Sequence, residues 1–134
     1  MIDFNLVPKV AYDEMNRVHG EEVALLNTLE LQLDAHDSAA IEETLEVMLE
    51  HTRAHFANEE RLMQEVQFPP YMIHKSEHTR ALNEMHNVIM DWRNRKDDSL
   101  LRNYFLETIP QWLTQHIASM DTMTAQFICT HKGI

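Results

Sequence analysis

The chain has 134 residues, 44% of them hydrophobic and 25% charged, which is enough apolar mass for one buried core and too much for a disordered chain. A formal net charge of −11 excludes electrostatic affinity for nucleic acid or for an anionic membrane surface. No apolar run approaches the roughly 20 residues of a membrane span. The N-terminus lacks a basic segment followed by an apolar one, so it does not read as a signal peptide. The single cysteine, Cys129, has no internal partner, and the expected location is cytoplasmic.

Two glycines in the whole chain and an abundance of Leu, Met, Glu and Ala predict an all-α fold. Three short punctuated stretches divide it: His36, Asp37 and Ser38; then Phe68, Pro69 and Pro70; then Lys96, Asp97, Asp98 and Ser99. The first predicted helix covers residues 12–35, with Val23, Leu26, Leu29 and Leu33 on one stripe. The second covers 39–66, with Ile41, Leu45, Met48, Leu49, Thr52 and Phe56 at helical spacing. The third covers 70–95, with Pro70 suited to its first turn. The fourth covers 99–130, capped by Asp98 or Ser99. Within it, Pro110 removes a backbone donor and should disturb the helix near Leu106. Linkers this short make neighbouring helices antiparallel, so the expected architecture is an up-down-up-down four-helix bundle. A single domain spanning 1–134 is expected.

Histidines recur at one height in this bundle. His19 lies 17 residues before His36, His55 17 after Ser38, His78 18 before Lys96, and His116 17 after Ser99. At about 1.5 Å per residue, each sits roughly 26 Å along its helix from connections at the same end. Glu59, His74 and Asp121 lie one turn further and form a second layer. His55/Glu59 and His74/His78 are i,i+4 pairs on one helix face. His116 and Asp121 are five apart, about 140° on a regular helix, so they converge only through a helix irregularity. Seven N/O donors exceed the need of one tetrahedral zinc. Five imidazoles and two carboxylates suit two first-row ions, iron among them. With both carboxylates and one hydroxide bridging, two six-coordinate ions keep a single open position.

The stretches His55-Phe56-x-x-Glu59-Glu60, His74-Lys75-x-x-His78 and Trp112-Leu113-x-x-His116-Ile117-x-x-x-Asp121 resemble the motifs of the hemerythrin family, across nearly the whole chain. The resemblance implies a non-haem di-iron centre (Fe2+/Fe3+) with a bridging hydroxide or oxide that binds O2 reversibly. By analogy, His74, His78 and His116 would saturate one iron. His19 and His55 would hold the other and leave a position for O2, with Glu59 and Asp121 bridging. Phe56, Leu113 and Ile117 flank the ligands and would wall an apolar O2 pocket. Family members often carry an aspartate and a glutamine shortly before the first ligand. Here those positions are Asn16 and Val18, and a frequent N-terminal tryptophan corresponds to Phe4. Ala81 stands where a phenylalanine is common, which predicts a larger pocket or a path to it. Trp112 reads as a packing residue. His51 reads as non-ligating, His36, His86 and His131 as solvated, and Glu60 as part of a solvated acidic face.

The leading functional reading is therefore oxygen storage, transport or delivery, not an enzyme and with no catalytic residues assigned. An oxygen-consuming enzyme or a redox protein would be the partner. The alternatives are an O2 or redox sensor acting through a separate partner, since 134 residues leave no room for an output module, and a di-iron peroxidase-type enzyme. Ferritin-like di-iron enzymes use Glu-x-x-His pairs, and no histidine here has glutamate three residues before it.

Overall fold

In the computed structural model, which describes residues 2–134, three helices follow the predicted segments within a residue or two: α1 (Asp13–Asp34), α2 (Ser38–Glu65) and α3 (Tyr71–Arg95). A fourth helical rod is continuous from its start to its end. It consists of α4 (Asp98–Asn103), a wide π turn (Tyr104–Thr108), α5 (Ile109–His116), a second wide turn (Ile117–Asp121) and α6 (Thr122–Lys132). A 3₁₀ turn at Phe4–Leu6 precedes them, and the described residues contain no strand. Rods adjacent in sequence pack side by side, and α4 closes back on α1. The short connections make this the antiparallel four-helix bundle that the sequence predicts.

Aspartates cap the starts of α2 and of the fourth rod. Asp37 accepts a hydrogen bond from the Ala40 amide at 3.2 Å. The fourth rod is capped one residue earlier than the sequence suggests, at Asp97, which accepts from the Ser99 amide and hydroxyl at 3.1 and 2.6 Å. Pro70 sits at the N-cap of α3 instead of within its first turn, where its missing N–H costs nothing.

The disturbance expected around Pro110 takes the form of the first wide turn, in which the Ile109 amide reaches five residues back to the Tyr104 carbonyl. A proline at position 110 cannot donate to Leu106, and an i→i+5 turn absorbs that loss without breaking the rod. The second wide turn repeats the pattern, Thr122 amide to Ile117 carbonyl. There the Thr122 hydroxyl also donates to the Ile117 carbonyl at 2.7 Å. This local back-bonding favours helix irregularity.

Three apolar layers frame the interior. The largest lies towards the α1–α2 and α3–α4 connections and includes Leu29, Leu33, Ile41, Leu45, Trp92 and Phe105. A second, with Leu62, Met63, Val66, Phe68 and Ile128, closes the opposite end. The third joins the N-terminal segment and α1 to the fourth rod through Val7, Val10, Met15, Val23, Leu113 and Ile117. Between them lies a buried polar layer.

The ends of α1, α2 and α3 turn through non-glycine residues at positive φ, namely His36 (53°), Gln67 (53°) and Lys96 (55°). At two of them the following amide reaches back, Asp37 to Gln32 at 3.1 Å and Phe68 to Met63 at 2.9 Å, the helix-terminating pattern that favours glycine. A left-handed L-residue costs about 1–2 kcal/mol, part of which glycine loses to unfolded-chain entropy. Gln67→Gly should therefore stabilise the fold by about 0.5–1 kcal/mol. Urea unfolding measures it, and an unchanged or lowered midpoint would show that the turn carries no strain.

Candidate metal centre

All seven predicted residues are buried, Asp121 completely, and all four rods contribute. His19 comes from α1, His55 and Glu59 from α2, His74 and His78 from α3, and His116 and Asp121 from the fourth rod. The second wide turn brings the last two together. It inserts one residue, so that position i+5 takes the direction that i+4 has on a regular helix. His116 Nε2 consequently lies 3.2 Å from Asp121 Oδ1.

The donor atoms form two groups, each with atoms within 4.8 Å of one another. One comprises Glu59, His74, His78, His116 and Asp121, and the other His19, His55 and Glu59. Glu59 belongs to both. Its Oε2 is 2.5 Å from His55 Nε2 and its Oε1 3.2 Å from His78 Nε2. Asp121 spans the groups in the same way, with Oδ2 at 3.1 Å from His19 Nε2 and Oδ1 at 3.1 Å from His74 Nε2.

This geometry fits cations better than a hydrogen-bond network. His74 Nε2 and His116 Nε2 are 3.1 Å apart, and each already lies close to the same carboxylate oxygen. His19 Nε2, His78 Nε2, Glu59 Oε1 and both oxygens of Asp121 are buried with no hydrogen-bond partner, although some lie within 3.1–3.2 Å of one another. They are close but not aimed at each other. Adjacent ligands around an octahedral ion with bonds of about 2.1 Å are about 3 Å apart, the separation that recurs here. Buried donors that converge without pairing are costly unless a cation lies between them.

Electrostatics keep the carboxylates anionic. Burial pushes Glu59 up, but the His55 charge outweighs it and leaves its pKa at about 2. Burial likewise raises Asp121, and the His116, His19 and His74 imidazoles 3.1–3.2 Å from its oxygens hold it well below the usual carboxylate value. Burial pulls His55 down, yet the Glu22 and Glu59 carboxylates beside it prevail and set it well above the ordinary imidazole value.

The family comparison gives the same reading. The Hemerythrin HHE cation binding domain profile matches residues 10–128. The chain belongs to the hemerythrin family. It is 34% identical to a bacteriohemerythrin of Aquifex aeolicus over 122 residues, covering 91% of this chain and 93% of that one. To a bacteriohemerythrin of Ralstonia nicotianae it is 29% identical over 110 residues, covering 82% and 76%. No solved structure matches the chain significantly.

Sequence reasoning missed the ring of groups that orients the histidines of this chain. His74 Nδ1 pairs with the Thr124 hydroxyl at 2.9 Å and His55 Nδ1 with Glu22. Glu60, assigned from sequence to a solvated face, pairs with His78 Nδ1 at 3.0 Å. Glu22 and Thr124 each lie three residues after a candidate ligand, on the same helix face, and that spacing was the available signal. Trp112 does more than pack. It stacks on His116 (4.5 Å, 15° between planes) and donates its indole N–H to Glu77 at 2.7 Å. Phe56 stacks on His78 at 4.0 Å, while Leu113 and Ile117 join the third apolar layer.

His19 differs: its Nδ1 is buried with no hydrogen-bond partner, whereas His55 Nδ1 at least has the Glu22 carboxylate against it. Asn16 is committed elsewhere, accepting from the Val10 amide and donating to the Val10 carbonyl, each at 2.9 Å. Among the other histidines, His36, His86 and His131 are exposed. Outer partners of metal-bound histidines are worth about 10–100-fold in metal affinity. Thr124→Val should thus weaken metal binding about ten-fold or more, as read by competition with a chelator. Affinity equal to that of the wild type would remove Thr124 from the site's support.

Proposed function

We propose that this chain binds O2 reversibly at a non-haem di-iron centre and serves oxygen storage, transport or delivery, with residues 1–134 acting as one hemerythrin-like domain. The observation that carries the reading is the pair of unequal donor groups, one with three histidines and one with two, sharing Glu59 and spanned by Asp121. His74, His78 and His116 would fill one iron's terminal positions. His19 and His55 would hold the other and leave a position free. Glu59 and Asp121, kept ionised by their neighbours, would bridge both. When bound, the two irons would supply the electrons, and a bridging hydroxide the proton, that reversible O2 binding needs.

The chain's own part is orientation and exclusion. Thr124, Glu60 and Glu22 fix the rings of His74, His78 and His55. Phe56, Leu113 and Ile117, all buried, would form the apolar part of the wall beside the open position. Histidine-rich ligation supplies less negative charge than a carboxylate-rich site, which favours reversible binding over O–O cleavage and supports a non-enzymatic role. No helix among the described residues is long and apolar enough to cross a membrane. The buried free thiol of Cys129 supports a cytoplasmic setting.

Anaerobic reconstitution with Fe(II), followed by aerobic titration with metal analysis, tests the reading. Two irons per chain and a visible charge-transfer band that disappears on deoxygenation are expected. Rapid irreversible oxidation would favour a redox sensor or a peroxidase-type enzyme, and fewer than two irons would defeat the di-iron assignment. Ala81, buried one turn from His78, stands where the family resemblance leads one to expect a phenylalanine. Ala81→Phe should slow autoxidation several-fold, and an unchanged rate would show that this position does not control access.

A further inference from the structure

The donor groups are sealed from both ends of the bundle by apolar layers, so a cation has to reach them through the side. One polar opening does so. A cavity of about 260 Å³ between α1 and α2 has Glu14, Arg17, Glu21 and His51 at its mouth and His55 and Glu59 at its floor. At about 30 Å³ per water, it has room for several water molecules and for a partly hydrated cation. Glu59, more than nine-tenths buried, lines the inner end, with its Oε2 2.5 Å from His55 Nε2 and its Oε1, turned towards His78, without a hydrogen-bond partner.

The wall of this cavity is a ladder. His51, His55 and Glu59 follow one another at four-residue intervals on one face of α2, each step about 5–6 Å. Across from them on α1, Glu21 Oε1 lies 2.8 Å from His51 Nε2, and Glu22 pairs with His55. The two outer rungs are thus imidazoles with a carboxylate within reach, and His51 Nδ1 is buried and unpartnered. The charges at the mouth are those of Glu14, Glu21 and Arg17. Arg17 is tied to Glu21 at 2.6 Å and lies 3.9 Å from Glu14, which leaves an excess of negative charge. The cavity on the opposite side also reaches a candidate ligand, His74, beside Ser119 and Thr124, but its surface, formed mainly by Phe68, Pro70, Ile73, Met120 and Met123, is almost wholly apolar and suits a hydrated ion far less.

We propose that the α1–α2 cavity is the loading port for the metal ions, with His51 and Glu21 forming a transient station for a divalent first-row cation before it passes to His55 and Glu59. The step is ligand exchange. The cation sheds waters, is held in turn by the outer and inner imidazole–carboxylate pairs, and leaves His51 and Glu21 paired again. This rests on the reading of the inner groups as metal ligands, but assigns a role to two residues outside that set.

The test is the rate at which metal-free protein takes up Co(II), followed by its visible ligand-field absorption under anaerobic conditions, with final stoichiometry measured separately. The double variant His51→Leu with Glu21→Gln should load ~10-fold more slowly yet reach the same two-metal endpoint and spectrum. Ala54→Phe, which fills the cavity, should slow loading too, whereas Met123→Phe on the apolar side should leave it unchanged. Equal rates in the double variant and the wild type would overturn the proposal, as would a lower endpoint in the variant, which would make the pair resident ligands. Should Ala54→Phe lose its helical circular dichroism, the double variant decides alone. Failure of the wild type itself to bind two metals would instead count against the di-metal reading.

Discussion

Seven ionisable side chains are buried together in the middle of this bundle, and the protein supplies too few hydrogen bonds to satisfy them. That is the constraint on which the rest depends. Isolated buried charge costs several kcal/mol per group, so the metal-free chain stores a deficit at its centre. Bound cations would cancel it, and metal-binding free energy then becomes folding free energy. The apolar layers on either side have to carry the bundle in the meantime. They are well developed, with Trp92, Phe105, Leu33, Ile41 and Leu45 essentially inaccessible to solvent.

The same deficit explains the surrounding ring. An imidazole that presents Nε2 to a cation must have its Nδ1 satisfied elsewhere, or the ring rotates and the wrong tautomer wins. Glu22, Glu60 and Thr124 do this for three histidines. His116 is steadied differently, by a stacked indole whose own N–H is anchored on Glu77. Glu77 is in turn held by Arg80, which with the indole bond outweighs partial burial and keeps its carboxyl at about 2. The site is thus braced to the surface on the α3 side, while His19 has no such brace.

Much of this was legible in the sequence, because the signals were periodic. Four segments with short polar breaks gave the bundle, and equal distances from the breaks brought histidines of four helices to one height. The i,i+5 spacing of His116 and Asp121 demanded an irregularity, and the wide turn at Ile117–Asp121 is that irregularity. The orienting residues were harder to see because their partners are distant in sequence. Glu60 points to a ring 18 residues away and Thr124 to one 50 away. Nothing local separates Glu60 from an ordinary surface glutamate, and the one local mark on Thr124 is its place a turn beyond Asp121. Asp97 was missed as a cap because three neighbouring polar residues compete for that place, and only backbone geometry chooses among them.

The second wide turn also bears on how relatives should be aligned. It holds one residue more than an α-helical turn, yet the helix beyond it keeps its angular phase towards the core. A relative lacking one residue between the histidine and the aspartate would have a regular helix there and present the same faces, including that of Thr124. A single-residue gap at this place is therefore neutral in three dimensions, although it looks disruptive in a linear alignment. Gaps forced into the flanking regular helices would instead turn every following side chain by about 100° and dismantle the layer.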